Sequence, residues 1–239
     1  MSRILTGTPT IDENTQGGIP SSDLTVIATS DDRTGSIALG RFLMSGLQNN
    51  ETVLLVSFER MNSFFENFKA SDFDFKKYYN EKKFLFFNFV PSIRHKVGFL
   101  QDYRSLFEEI YKLSGDQKPQ RIAFHQVDTL MNLSNTHLAH LTADKLASAC
   151  RSRTAQNATV MAQFIKFNDK VHEGMSVALQ KSAAGYIELL KNPDNPNQLN
   201  LAVKKMPWFD FDSNPKKIDL NDLIKTTKDS EKKSPNAAA

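Results

Sequence analysis

The side chains of this sequence that could do chemistry are a few histidines, one cysteine and several carboxylates. His125 ends a short apolar run and could act as a base or a metal ligand, although a strand-end histidine with one structural hydrogen bond is commoner. His137 and His140 lie three residues apart and could share a metal, but no third ligand is evident, which favours a solvated helix face. Cys150 has no base beside it in sequence, which is typical of a small buried apolar residue. We therefore expect no metal site.

Length and composition indicate one large domain with a substantial core. The chain has 239 residues, of which 40% are hydrophobic, and it contains 18 Phe. A net charge of +3 from 30 basic and 27 acidic residues argues against a general polyanion-binding protein. The single cysteine excludes an internal disulfide and a cysteine-based zinc site. Without an apolar leader or a run long enough to span a bilayer, the sequence predicts a cytoplasmic protein with no membrane insertion.

Short apolar runs alternate with helical stripes and predict the elements that would position these side chains. The runs expected to form strands are Leu24–Thr29, Thr52–Phe58, Phe84–Val90, Arg121–Val127 and Thr159–Phe164. The stripes expected to form helices are Ser36–Leu47, Met61–Ala70, Leu100–Leu113 and His137–Ala155. Such alternation predicts an α/β fold with a mostly parallel sheet and helices on both faces. In such sheets, ligands bind at the carboxyl ends of the strands.

The last part of the chain departs from this alternation. The runs Gly185–Lys191 and Leu199–Lys205 predict an antiparallel hairpin with a long polar turn at Asn192–Gln198. From residue 214 the composition becomes polar and rich in lysine. We therefore assign residues 1–213 to the domain and 214–239 to a C-terminal tail that is partly disordered, with Ile218–Ile224 docking locally.

Nine Phe lie within 26 residues, between Phe64 and Phe89. Most of them are expected in the core. Phe73 and Phe75 stand in a polar context and are candidates for exposed contacts with a partner protein.

A pattern of small residues near the start of the chain carries a family resemblance. Thr6–Asp12 reads T-G-x-x-x-h-D, and after a short spacer Gly17–Pro20 reads G-G-h-P. The strand ending Val56-Ser57-Phe58-Glu59 follows in the expected order. Over about residues 4–212 the sequence resembles KaiC-like and RadA-like ATPases of the RecA fold. The resemblance implies a RecA-like sheet with ATP chemistry at the strand ends.

The resemblance places the phosphate loop directly after the first core strand. A working loop reads G-x-x-x-x-G-K-[ST], in which glycines admit phosphates to backbone N–H groups, Lys neutralises charge and Ser or Thr holds Mg²⁺. Here Gly35 stands at the Lys position, Asp31 and Asp32 stand where a triphosphate would lie, and only Ser36 matches. An alternative anion nest made by Arg33, Gly35 and Ser36 is less favoured. The vestigial loop positions are Thr29, Ser30, Asp31, Asp32, Arg33, Thr34, Gly35 and Ser36.

Three further positions of the family's mechanism are also altered. His125 stands at the place of the Asp that positions Mg²⁺, a metal for which neutral imidazole is a poor ligand, and Asp128 follows three residues later. Glu59 matches the acid that orients the attacking water, but an ordinary polar role is favoured for it. Lys205 matches a residue that reaches a neighbouring subunit's nucleotide, whereas Pro207 stands in the adjoining Arg position. Phosphoryl transfer depends on positioning and electrostatics, so no single surviving residue can carry it.

The leading hypothesis is therefore a KaiC-like pseudo-ATPase that is not an enzyme and binds no cofactor. It would act as a structural or regulatory subunit that binds other protein subunits in a homo- or hetero-oligomer, for example within a bacterial secretion-type complex.

Two alternatives stay open. One is a nucleotide-binding switch without efficient hydrolysis, which would need phosphate contacts from Ser36 and Arg33. The other is a nucleic-acid-binding RecA paralogue, but its basic residues lack interleaved aromatic side chains, so a charged surface is favoured over nucleic acid as a partner. The basic residues in question are Arg151, Arg153, Lys166 and Lys170.

Overall fold

The computed structural model describes residues 2–66, 68, 73–88, 103–115, 117–129, 139–152, 157–207 and 214–224. A sheet of eight strands forms the centre of this part of the chain, in the order β10-β9-β8-β3-β7-β6-β4-β5. Its strands are β3 (Leu24–Thr29), β4 (Val53–Ser57), β5 (Phe84–Asn88), β6 (Arg121–Phe124), β7 (Thr159–Ile165), β8 (Gly185–Asn192), β9 (Asn195–Lys205) and β10 (Lys216–Asp219). A separate antiparallel pair joins β1 (Arg3–Ile4) to β2 (Ile19–Pro20).

The strands from β5 to β8 in this order run parallel, whereas β9 and β10 are antiparallel to their neighbours. Helices cover both faces of the sheet. They are α1 (Pro9–Asn14), α2 (Asp32–Gln48), α3 (Met61–Glu66), α4 (Phe75–Asn80), α5 (Tyr103–Ser114), α6 (Ala139–Arg151), α7 (Lys170–Ser182) and α8 (Leu220–Ile224). The predicted α/β class, with a mostly parallel sheet and a C-terminal antiparallel hairpin, is confirmed. Among the described helices, none combines the length and apolar character needed to cross a membrane.

Alternation along the strands divides the core into two clusters. Val26 packs with α5, α6 and α7 on one face, whereas its neighbour Ile27 packs with α2 on the other. Because successive side chains of a strand point to opposite faces, the continuous apolar run Leu24–Thr29 is what a strand covered on both sides requires. All six of its residues are buried.

The phenylalanine-rich segment lies largely in the core on the α2 face. Phe75 is 2% exposed and packs against Phe64 and Phe84, while Phe73 is partly buried against Phe68. The prediction of an exposed partner contact is wrong for Phe75. The polar residues around it occupy the solvent side of the short helix α4, which turns Phe75 inward.

Two features near the C-terminus differ in detail from the sequence prediction. The hairpin turn is short, because β8 runs on to Asn192 and β9 begins at Asn195; the Asn192 side chain accepts a hydrogen bond from the backbone N–H of Asp194 at 3.0 Å. The local docking of Ile218–Ile224 is confirmed. Strand β10 pairs with β9 and buries Ile218, so the sheet continues into the segment assigned to the tail.

Candidate functional site

The carboxyl ends of four neighbouring strands bring the candidate residues together. Because β3, β7, β6 and β4 are adjacent and parallel, their final residues meet at one edge of the sheet. Asp32 follows β3, Ser57 ends β4 with Glu59 just beyond, and His125 follows β6. Gln163 lies on β7, two residues before its end. This edge is the candidate functional site.

Most of the predicted phosphate-loop segment, from Asp32 onward, forms the start of a helix. Helix α2 begins at Asp32, four residues earlier than predicted, because Asp31 caps it: the Asp31 carboxylate accepts hydrogen bonds from the Thr34 backbone N–H and the Thr34 hydroxyl, both at 2.9 Å. Thr29 Oγ1 donates to the Asp31 carbonyl at 2.9 Å, and Lys191 Nζ lies 3.5 Å from Asp31 Oδ2. The helix N-terminus is therefore neutralised by a carboxylate of its own chain.

His125 is buried at the centre of the site. Its Nε2 atom lies 2.8 Å from Asp32 Oδ1 and 3.0 Å from Ser36 Oγ, while Nδ1 lies 3.1 Å from Ser57 Oγ. Because an ionised carboxylate can only accept, Nε2 carries the proton that binds Asp32. In the neutral ring the Ser57 hydroxyl then donates to Nδ1. His125 thus makes contacts through both ring nitrogens, more than the one hydrogen bond expected from sequence.

Two amide side chains complete the hydrogen bonding of Asp32. Gln126 Nε2 donates to Asp32 Oδ1 at 2.9 Å, and Gln163 Nε2 donates to the same atom at 3.2 Å. Burial opposes the charged form of this carboxyl, but the hydrogen bond and charge of His125, together with both amides, leave the pKa of Asp32 below its usual value. Hydrogen bonds from three side chains, those of His125, Gln126 and Gln163, therefore hold Asp32 in place as a carboxylate.

Gly35 and Gln163 pack so closely that a larger residue at position 35 would have to displace the Gln163 side chain. A Cβ atom added to Gly35 would lie 2.3 Å from Gln163 Nε2 and 2.5 Å from its Cγ. Gln163 is fully buried and also donates to the Asp32 carbonyl at 3.2 Å. The space beside position 35, where the resemblance placed a lysine, is thus filled by the Gln163 side chain.

The other predicted site residues, Glu59, Asp128 and Lys205, each make contacts with different partners. Glu59 is half-buried, its backbone N–H donates to Ser57 Oγ at 3.0 Å, and its carboxylate lies 3.4 Å from Gln126 Nε2. Asp128 makes its hydrogen bond outside this cluster: it accepts from the Ile165 backbone N–H at 3.2 Å, and burial raises the pKa of its carboxyl. Lys205 Nζ donates to the Lys181 carbonyl of its own chain at 2.7 Å.

The residues of the alternative anion nest do not converge. Arg33 is exposed, Gly35 is covered by Gln163, and Ser36 Oγ contacts His125. Ser30 Oγ accepts from the backbone N–H of Lys191 at 2.9 Å, on the opposite side of the loop.

Other candidate residues lie elsewhere in the fold. Burial raises the pKa of the Cys150 thiol, in agreement with a small buried apolar role. His140 is exposed on α6, while His137 and Arg153 lie outside the described residues. Arg151 and Lys166 each form an ion pair with an acidic residue, so these cations are not a set of unpaired charges on one surface.

Sequence reasoning did not identify Gln126 and Gln163 as members of the site. A signal exists for Gln163, because it is the one amide in strand β7, in which every other residue after Thr159 is apolar, and a buried amide needs hydrogen-bond partners. Gln126 has a φ of 56°, a left-handed conformation that is uncommon outside glycine and that turns the loop after β6. No local pattern forecasts that turn.

Comparison with curated proteins finds no match to this chain. A family model described as "ATPase: KaiC" matches residues 4–227, a range that includes all eight strands of the central sheet. With its RecA-like α/β sheet and this match over most of its length, the chain belongs to the KaiC ATPase family.

Proposed function

We propose that this protein is a non-catalytic member of the KaiC family that works as a structural or regulatory subunit by binding other proteins. One observation carries the proposal. From Asp32 onward, the segment in which phosphates would bind forms the first turn of α2, which Asp31 caps, and Asp32 is fixed by His125 and Gln163.

The residues at this edge do not fit a nucleoside triphosphate. Phosphate binding at a helix N-terminus uses free backbone N–H groups and a favourable dipole. Here the Asp31 carboxylate already accepts from the Thr34 N–H, and Asp32 adds a second negative charge beside it. Gln163 fills the space next to Gly35, where a lysine would have to extend. A triphosphate would have to displace these contacts and would meet like charges in return.

The same edge does not fit Mg²⁺ held in the manner of this family. Ser36 Oγ, the matching oxygen ligand, contacts His125 Nε2 at 3.0 Å, and His125 stands where a carboxylate would be required. Mg²⁺ prefers oxygen ligands in octahedral geometry. The residues at this edge therefore do not support phosphoryl transfer.

An exposed apolar strip beside the site supports the protein-binding part of the proposal. The edge strip consists of Phe167, 51% exposed, Val171, 46% exposed, Val177, 42% exposed, and Gly174 between the two valines. Residues 171, 174 and 177 share one face of α7 because they are three residues apart. The backbone of Lys166 binds the Thr29 carbonyl at 2.8 Å, which ties the start of the strip to the candidate site. Grouped exposed apolar side chains favour contact with another protein.

Thermal unfolding with and without nucleotide tests the non-catalytic part. Full-length protein should show no shift in Tm with millimolar ATP, ADP or GTP in the presence of Mg²⁺. A ligand at 100 times its Kd would add about 2.7 kcal/mol, which for a chain of this size corresponds to a rise of about 5–10 °C. Mg²⁺-dependent ATP hydrolysis that is abolished by Glu59→Gln would contradict the proposal. A Tm shift without hydrolysis would favour the nucleotide switch.

Native mass measurement of the protein isolated gently from its own cells tests the binding part. We expect a stoichiometric complex with itself or with other subunits. Val171→Ser with Val177→Ser should dissociate that complex. Leu141→Ser is the matched control, because Leu141 is 46% exposed on a different helix. A lone monomer, or a complex that both kinds of variant leave intact, would argue against the edge strip as the contact surface.

A further inference from the structure

One cluster of side chains at the candidate site has the composition of a metal-binding site, a role that neither the family match nor the proposed function gives it. Asp32, Glu59 and His125 each offer one donor atom, and these atoms lie within 4.8 Å of one another. We propose that they bind one first-row divalent transition metal ion, represented by Zn²⁺. This inference goes beyond the proposed function and does not depend on it, because protein binding needs no metal.

The spacing of the donors suits such an ion after a small adjustment. Donor atoms about 2.1 Å from a tetrahedral ion stand about 3.4 Å apart. His125 Nε2 and Asp32 Oδ1 are 2.8 Å apart, slightly inside this separation, and Ser36 Oγ at 3.0 Å from Nε2 offers a further oxygen. The wider gap lies on the side of Glu59, a half-buried side chain whose torsions can close it.

The surroundings of His125 match those of a metal-bound imidazole. A ligating histidine uses one nitrogen for the metal and donates the other N–H to an oxygen, which fixes the ring. When Nε2 binds the ion, Nδ1–H can donate to Ser57 Oγ at 3.1 Å. Gln126 Nε2 approaches both carboxylates, at 2.9 Å from Asp32 and 3.4 Å from Glu59, and so orients the two acidic ligands together.

Ligand type decides which ion the cluster prefers. Imidazole suits Zn²⁺ and its first-row neighbours, whereas Mg²⁺ and Ca²⁺ prefer sites made of oxygen alone. The His125 ring is fully buried, but the Asp32 side chain is 34% exposed, so an ion can enter from solvent past Asp32. The combination of one nitrogen and two carboxylates therefore predicts selectivity for Zn²⁺ over Mg²⁺.

The fold contains a natural control for this cluster. His172 Nδ1 lies 2.7 Å from Asp169 Oδ2, a contact as short as that between His125 and Asp32. In the part of the chain that the structure describes, no third metal-ligating group joins this second pair. A paired histidine and aspartate alone should not retain a metal ion, so removing His172 should leave binding unchanged.

Calorimetric titration of the untagged full chain with Zn²⁺ tests the proposal, with Co²⁺ absorption as a second readout. We expect one ion per chain, no binding of Mg²⁺ at the same concentrations, and visible Co²⁺ bands. Glu59→Gln, which changes a half-buried residue, and His125→Gln should each abolish stoichiometric binding, whereas His172→Ala should not. Ser57→Ala should weaken binding by about 10–100-fold, the range for loss of a ligand's hydrogen-bond partner.

Two results would overturn the assignment. One is the absence of stoichiometric Zn²⁺ binding to the folded wild-type chain. The other is binding that persists unchanged in folded Glu59→Gln, because that variant keeps the His125–Asp32 contact and removes only one ligand charge. Circular dichroism of each variant establishes that it is folded before the titration.

Discussion

The contact between Gly35 and Gln163 can be tested by adding a single carbon. In Gly35→Ala the new Cβ would stand 2.3 Å from Gln163 Nε2, which is closer than non-bonded atoms approach. Gln163 is fully buried and bonded to Asp32, so it can move only by giving up those hydrogen bonds. Overpacking a core costs about 1–3 kcal/mol, and a lost hydrogen bond about 1 kcal/mol.

The helix propensity of alanine acts in the other direction. Replacing glycine by alanine inside a helix stabilises by about 1 kcal/mol. The net expectation for Gly35→Ala is therefore a loss of about 2 kcal/mol in the free energy of unfolding, or about 4–8 °C in Tm. Gly174→Ala is the matched control. Gly174 lies inside α7 with open space around it, so that variant should gain up to about 1 kcal/mol.

A double-mutant cycle separates the clash from other effects. Gln163→Ala removes the obstructing atoms, and in that background Gly35→Ala should become neutral or stabilising. The coupling energy from urea denaturation of the four proteins should be about 2 kcal/mol. Suppose that Gly35→Ala is as stable as wild type while Gly174→Ala gains stability as expected. Gln163 then does not fill the space beside position 35, and this objection to phosphate binding is refuted.

Three further predictions concern the same region. The pKa of Asp32 is lower in the folded protein than in the unfolded chain, where it is about 3.9. Ionised Asp32 therefore stabilises the fold above that unfolded pKa, and this stabilisation is lost as the pH falls through the folded pKa. The difference in unfolding free energy between wild type and Asp32→Asn should accordingly shrink below about pH 4. Gly35→Lys alone should not confer ATP binding in a thermal-shift assay, because Gln163 and Asp32 still fill the site. Glu51→Gln should cost about 3 kcal/mol in urea denaturation, because Arg121 is 2% exposed and loses a 2.6 Å ion pair.

Sequence patterns predicted the sheet well because its strands are defined by local composition. The run Leu24–Thr29 forms a strand with the predicted bounds, and Thr159–Phe164 extends by one residue. Helix α7 was missed, since its buried residues Met175 and Leu179 are mixed with the exposed Val171 and Val177, which blurs the apolar stripe.

The site was predicted only in part. Asp31, Asp32 and His125 were identified as carboxylates and an imidazole in place of the usual phosphate-loop and strand-end residues. Their present roles depend on partners far along the chain, because Gln163 meets Asp32 across 131 residues. The beginning of α2 had a local signal, since aspartate is a common helix N-cap residue, but the resemblance to a phosphate loop drew the prediction to Ser36.

The packing of Gln163 on Gly35 couples two positions that are distant along the chain. A lysine at position 35 meets a filled space, and a smaller residue at position 163 leaves Asp32 without one of its donors. Each of these single substitutions is therefore expected to lower stability on its own. A change at either position would need a compensating change at the other, so substitutions at residues 35 and 163 should be tolerated only as a pair.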